Sequence, residues 1–506
     1  MLNRHLRFSD AFVALAAVIL LLGAAGCAPQ EEVATEPGVE EIPVTTASET
    51  ARALYEEGEH LSDVGRNVEA RQKFMAAVAE DPGFVRAHFG QSIVAFSFKE
   101  FQDCLDRAEM NIESASDGER LMVEINRTFL SNDAERGVEL ASELVRTYPD
   151  SARAAIVLAG MQGNMNDNEA ARATYARALE IEPESPGALM GIAFNYLFSE
   201  PRDFAKAEAY SQNMIAAYPN EAKVYELTGD IKRAQNNLGA ALEAYDQATA
   251  MDPGLAQAQL KKGHVNSFLA NYDDARAAFD AAIAAATPEN KAGFAPYRAF
   301  TYIHAGDIDT ALDELESVAD NVEAMGTPED QVKGFQVFAL SSEATTALYS
   351  GHFDRAASAI ERRNQLQMEI AEDVGTDDSH RLRKANCRLW DGLLAAHTGD
   401  MDAAVEHAEK IAVLVESDDN PRKMESYHYV MGMAYLNQEN YEKAAEHLRQ
   451  ADYKNNMYIR YHLALAEEGV GNVEEARAFF ADVAGYNFNT VGFALLREDA
   501  SERVGG

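Results

Sequence analysis

The chain has 506 residues, 47% hydrophobic and 25% charged, which suits several domains or one long array and not a disordered chain. Its 83 acidic residues against 44 basic ones leave a formal charge of −39, which argues against non-specific nucleic-acid binding, because that needs a cationic footprint. There is no HExxH, CxxC, GxSxG, SxxK or GxxxxGK[ST] run, so the common zinc, redox, nucleophile and phosphate-loop signatures are excluded.

The first residues read as a targeting segment. Arg4 and Arg7 precede the apolar run AFVALAAVILLLGAA, and GC follows. The run is too short to span a bilayer comfortably as a helix and has the layout of a secretory signal. Its ending LLGAAGC (Leu21–Cys27) resembles the lipobox of bacterial lipoproteins, with Ala24 where that family usually has Leu. The resemblance implies removal of residues 1–26, lipidation of Cys27 and anchoring of the mature chain to a membrane. Ala28 after the Cys, in place of Asp, implies the outer membrane, with the chain facing the periplasm. Cleavage of an ordinary secretory signal nearby is the alternative.

Ala28–Ser48 has five Glu, three Pro, no Lys or Arg and no apolar period, so residues 27–48 are expected to form an acidic disordered tether. About twenty flexible residues would reach roughly 25 Å.

From Ala51 a ruler sets in. Gly58, Ala70, Phe74, Ala77 and Pro82 have the same spacing as Gly432, Ala444, Leu448 and Ala451 with its closing turn, small residues at fixed distances around one large one. The small anchors continue as Ala70, Cys104, Gly137, Ala171, Ala207, Ala241, Ala275, Ala311, Ala356, Ala404, Ala444 and Ala476. The first eight are 34, 33, 34, 36, 34, 34 and 36 residues apart; the later steps are 45, 48, 40 and 32. Closing prolines at 149, 183, 219 and 253 keep the same beat.

This pattern resembles the tetratricopeptide repeat over nearly the whole mature chain. The resemblance implies an all-α fold, a right-handed α-solenoid of about twelve antiparallel helix pairs. Small residues let paired backbones approach closely, and larger ones fill the space between them. Polar links such as NQEN, HAGD (His304–Asp307) and HTGD (His397–Asp400) turn the chain and cap the second helix.

The units around Cys104 and Gly137 look degenerate, with SDGERLMVEINRTFL in place of a clean first helix. From Ala311 the repeats lengthen, with the excess near 319–331, 368–380 and 415–423. The expected organisation is a regular array over 49–288, a longer-repeat array over 289–489, and a helix within 490–506 capping the open end of the core.

Other chemistry is sparse. NMNDNE (Asn164–Glu169) is not a calcium loop, since Glu169 replaces the needed Gly and Tyr175 the bidentate Glu. Seven of twelve histidines lie between His352 and His462, none at helical metal-pair spacing, so no metal and no cofactor is expected. Cys104 and Cys387 read as small buried residues.

In the tetratricopeptide family the concave face of first-helix slots often holds a partner's peptide. Carried over, it comprises Tyr349, Leu389, Trp390, Leu393, His397, Tyr429, Val430, Met433, Tyr461 and His462, a Tyr-, Trp- and Met-rich face suited to recognition. The first unit shows the acidic Glu56, Glu59 and Asp63 there. Some members grip a carboxylate with Lys and Asn at slots that here hold Tyr55 and Glu59, which argues against that mode. The reading is a non-catalytic scaffold for a partner protein or peptide. A glycan- or solute-binding lipoprotein beside an outer-membrane transporter is the first alternative, and a hydrolase or metalloenzyme using the His-rich half is the second.

Overall fold

The structure, a computed structural model, describes residues 41–131, 133–418, 420 and 422–505. The expected signal segment, Cys27 and most of the expected tether therefore lie outside the described residues.

The described residues form α-helices in antiparallel pairs, with no strand among them. The first six pairs are α1–α2 (Glu49–Asp63, Asn67–Glu80), α3–α4 (Val85–Ile93, Phe98–Met110), α5–α6 (Asp117–Ser131, Ala134–Thr147), α7–α8 (Ala152–Asn164, Asn168–Ile181), α9–α10 (Pro186–Phe198, Phe204–Ala217) and α11–α12 (Ala222–Ala234, Leu238–Met251). The next six are α13–α14 (Ala256–Phe268, Tyr272–Ala285), α15–α16 (Pro288–His304, Ile308–Asn321), α17–α18 (Glu329–Tyr349, Phe353–Val374), α19–α20 (Asp377–Thr398, Met401–Val415), α21–α22 (Glu425–Asn437, Tyr441–Leu448) and α23–α24 (Met457–Val470, Val473–Ala484). A last helix, α25 (Val491–Val504), follows. The expected α-solenoid of helix pairs is what forms.

The spacing has a direct steric cause. A Cβ added to Gly58, Gly229, Gly263 or Gly432 would lie 2.8, 2.4, 2.6 or 2.6 Å from Phe74, Tyr245, Phe279 or Leu448, each sixteen residues later on the paired helix. The anchors are equally tight: all ten anchor alanines are no more than 2% exposed, as is Cys104. In the links, Asp307, Asp400 and Asn440 each accept a bond from the backbone N–H three residues on, capping α16, α20 and α22. The link also needs a left-handed residue, supplied by Gly306 (φ 76°) and Gly399 (φ 81°) but by Glu439 (φ 59°) in NQEN.

The chain divides into two compact units. The first holds the described residues up to 235 with 243–252, and the second holds 236–242 with 253 onward. The boundary expected near Glu289, placed from repeat length, falls inside the second unit. The segment read as degenerate makes a regular 15-residue helix, α5, burying Met122, Val123 and Ile125. The extra length around Val374 lies in the helices themselves: α18 and α19 have 22 residues each, joined through Gly375 (φ 68°).

Two end segments differ from expectation. The tether was expected to stay free up to Ser48, but from Glu41 it is pinned to the first unit. Ile42 is 6% exposed, Thr45 donates its N–H and hydroxyl to the Glu119 carboxylate at 2.8 and 2.7 Å, and Ser151 donates to Glu41 at 2.9 Å. Local composition reads as disorder because these partners lie 74 and 110 residues away. In the second unit, α25 does more than cover its neighbour α24. It also packs on α15, α17 and α23, so Phe493, Leu496 and Ala500 are all fully buried.

Candidate functional site

The ten residues expected on one open face separate into two groups. Leu393, Val430, Met433, Tyr461 and His462 are buried, between 0 and 5% exposed, and form part of the second unit's core. They do not line an open groove. Two causes combine: α19 and α21 pack against each other, and α25 packs on α23, which carries Tyr461 and His462. Tyr349 stays exposed, while Leu389, Trp390, His397 and Tyr429 are half-buried.

Within this set the structure assembles a cluster of tyrosines and histidines on α17, α21 and α23. Tyr349 meets Tyr458 edge-on at 6.3 Å, and Tyr458 lies 4.4 Å from the ring of His462. His462 Nδ1 is 2.7 Å from the Tyr458 carbonyl, so that nitrogen donates. Tyr461 donates its hydroxyl hydrogen to Asp499 on α25, and Arg503 also holds that carboxylate. Burial pushes His462 down to about 3 and His397 down to about 4, so both are neutral at pH 7. It raises the hydroxyls of Tyr429, Tyr458 and Tyr461 far above their ordinary range. These groups are hydrogen-bonding and packing elements and not proton carriers near neutrality.

Trp390, in contrast, faces α18. The Arg363 guanidinium lies over its ring at 4.7 Å, and Leu389 packs against the core beside it. First-helix slots alone could not reveal Arg363, which sits on a second helix. A buried Arg opposite the chain's single Trp becomes visible only when α18 and α19 are in place.

The acidic inner face expected in the first unit is answered by arginines. Arg86 pairs with Glu59 at 2.7 Å and donates to Tyr55 at 2.8 Å, and Arg153 pairs with Asp63 at 3.2 Å. Burial raises the Asp63 carboxyl well above its ordinary value, with Arg153 opposing the shift. Glu59 and Asp63 are thereby held in internal pairs, while Glu56 stays exposed.

Among the described residues no three His, Cys, Asp or Glu side chains converge as a metal would need. His428 and His447, on the paired helices α21 and α22, do face each other with Nδ1 atoms 3.1 Å apart. Cys104 and Cys387 are buried and free. Among the described residues, no helix is long and apolar enough to cross a membrane.

These features define a helical-repeat protein with a partly exposed aromatic face. Tetratricopeptide repeats are identified in three stretches: the family model described as Tetratricopeptide repeat matches residues 198–256 and 429–489, and a second model of the same description matches 152–185. No curated protein matches the chain. Similar solved structures include the APC/C hetero-tetramer Cut9–Hcn1, at 15% identity over 89% of this chain and 76% of that one, TM-score 0.42. Another is a thermophilic TPR protein in Thermus thermophilus, at 20% identity over 37% of this chain and 98% of that one, TM-score 0.30. A third is PilW, a type IV pilus biogenesis factor, at 16% identity over 42% and 100%, TM-score 0.35.

Proposed function

We propose that the chain is a non-catalytic interaction scaffold, held to the periplasmic side of the outer membrane by a lipid on Cys27. It binds a partner protein or peptide through the side chains of the second unit that its own core leaves accessible. The observation that carries the reading is the division of labour among the aromatic residues. Tyr461 and His462 are spent on internal packing, while Tyr349 remains 37% exposed and Trp390 and Tyr429 half-buried. Rigid aromatic side chains at a partly open surface are what recognition uses, because they bury area with few torsions to freeze.

Crosslinking in the native envelope, followed by identification of the captured protein, tests the scaffold. The triple variant Tyr349→Ala, Trp390→Ala, Tyr429→Ala is expected to lose capture with helicity retained; undiminished capture would remove this face from the reading. Fractionation tests the anchor separately. Cys27→Ser is expected to release the protein from the membrane fraction, and retention there would refute lipidation at that position.

A further inference from the structure

The seam between α17, α18 and α19 contains an electrostatic imbalance. Arg363 is only 2% exposed, yet its guanidinium donates to neutral oxygens alone: Ser341 Oγ at 3.0 Å, Asn364 Oδ1 at 2.7 Å and Asn386 Oδ1. Arg383, half-buried on α19, donates to the Gln367 amide oxygen. Among the described residues neither arginine forms an ion pair. The nearby carboxylate, Asp391, is taken by Asn364 at 2.9 Å and by Arg388 at 2.9 Å.

Elsewhere the chain does the opposite. The similarly buried Arg86, Arg153 and Arg233 of the first unit each have a carboxylate, Glu59, Asp63 and Asp230. Acidic residues outnumber basic ones 83 to 44, so an unanswered pair of guanidiniums is not a shortage of acids. Burial pushes Arg363 down to about 10 and lowers Arg383, and the positive charge of Arg383 adds to the effect on Arg363. Burying a charge without a counter-ion is costly, and a planar guanidinium fork is the side chain best matched to a carboxylate.

We infer that Arg363 and Arg383 form a receptor for a carboxylate side chain of an acidic segment in the partner, docked against Trp390. Arg383 at the rim makes the first contact. Arg363, fixed by Ser341, Asn364 and Asn386, supplies the buried charge, and Trp390 covers the apolar part of the acidic side chain. This deepens the scaffold reading and rests on it, naming the chemistry of the partner.

The single Trp of the chain, Trp390, reports on the site directly. Full-length protein is titrated with a capped hexaglutamate peptide, with hexaglutamine as control and with inorganic phosphate as a free oxyanion. A saturable change in Trp390 emission is expected with hexaglutamate and not with hexaglutamine. Arg383→Gln, with helicity unchanged, is expected to weaken it about tenfold or more, and Arg383→Lys to weaken it less. No response to hexaglutamate, an equal response to hexaglutamine, a response to phosphate alone, or full binding by Arg383→Gln would each overturn the assignment. Crosslinked capture of a partner that survives Arg383→Gln would keep the scaffold reading while removing this site from it.

Discussion

Tyr461 on α23 is bound through its hydroxyl to Asp499 on α25, so a side chain expected on the binding face is occupied by the chain's own last helix. Phe493, fully buried, meets Phe268 edge-on at 5.2 Å, and Arg497 lies 4.8 Å over the Phe268 ring. The last helix therefore belongs to the second unit's core. Phe493→Ala is expected to cost about 3–5 kcal/mol, and ending the chain after Gly485 to cost more. Thermal unfolding measures both, and an unchanged midpoint in the shortened chain would show that α25 is an appendage.

Acid should destabilise the second unit. Burial holds His304 and His397 near 4 and His462 near 3, whereas an unfolded histidine titrates near 6.5. Below about pH 6.5 the unfolded chain takes up protons that the folded one refuses, so the stabilisation is complete above that pH and is lost as pH falls toward 4. The loss is on the order of 2 kcal/mol per fully buried histidine by pH 4.5. Melts from pH 7.5 to 4.5 should show a shallower decline for His304→Gln than for the parent. Parallel curves would mean that His304 titrates in the native state.

Removing Arg153 strands the buried Asp63 in the first unit, while Glu59 keeps Arg86. Arg153 pairs with Asp63 at 3.2 Å and approaches Glu59 at 3.8 Å, and Asp63 is 1% exposed. Arg153→Met is expected to cost about 3–5 kcal/mol, because the buried Asp63 carboxylate is left unpaired. Urea denaturation of this variant beside Arg153→Met, Asp63→Leu should find the double change less damaging than the single one. The reverse order would place the cost in lost packing.

The ruler can be tested at Gly432. A Cβ there would lie 2.6 Å from Leu448 Cγ, so Gly432→Ala is expected to cost about 1–3 kcal/mol by overpacking. Leu448→Ala should cost about 2–5 kcal/mol through the cavity it leaves. In the double variant the added methyl fills part of that cavity, so the combined loss should fall short of the sum; strict additivity would show that the two positions do not share one contact.

The repeat was legible because its cause is local. Gly432 and Leu448 are sixteen residues apart, and a turn of three or four polar residues brings them together wherever the chain has that spacing. Anchor burial, capped links and the count of helix pairs follow from the same short-range geometry. The ordered end of the tether was not legible, because Thr45 and Glu41 are held by Glu119 and Ser151, and nothing near residues 41–48 announces those partners.

The site divides in the same way. By itself the sequence determined the helix pairs, the small residues at their contacts and an aromatic-rich run of first helices, all set by side-chain periodicity over one repeat. Only the tertiary structure decided which of those aromatics stay accessible. Packing of α25 against α15, α17 and α23 buries Tyr461 and His462, while Trp390 turns toward Arg363 on another helix. Exposure depends on what the far parts of the chain cover, and charge balance on which carboxylates come within reach.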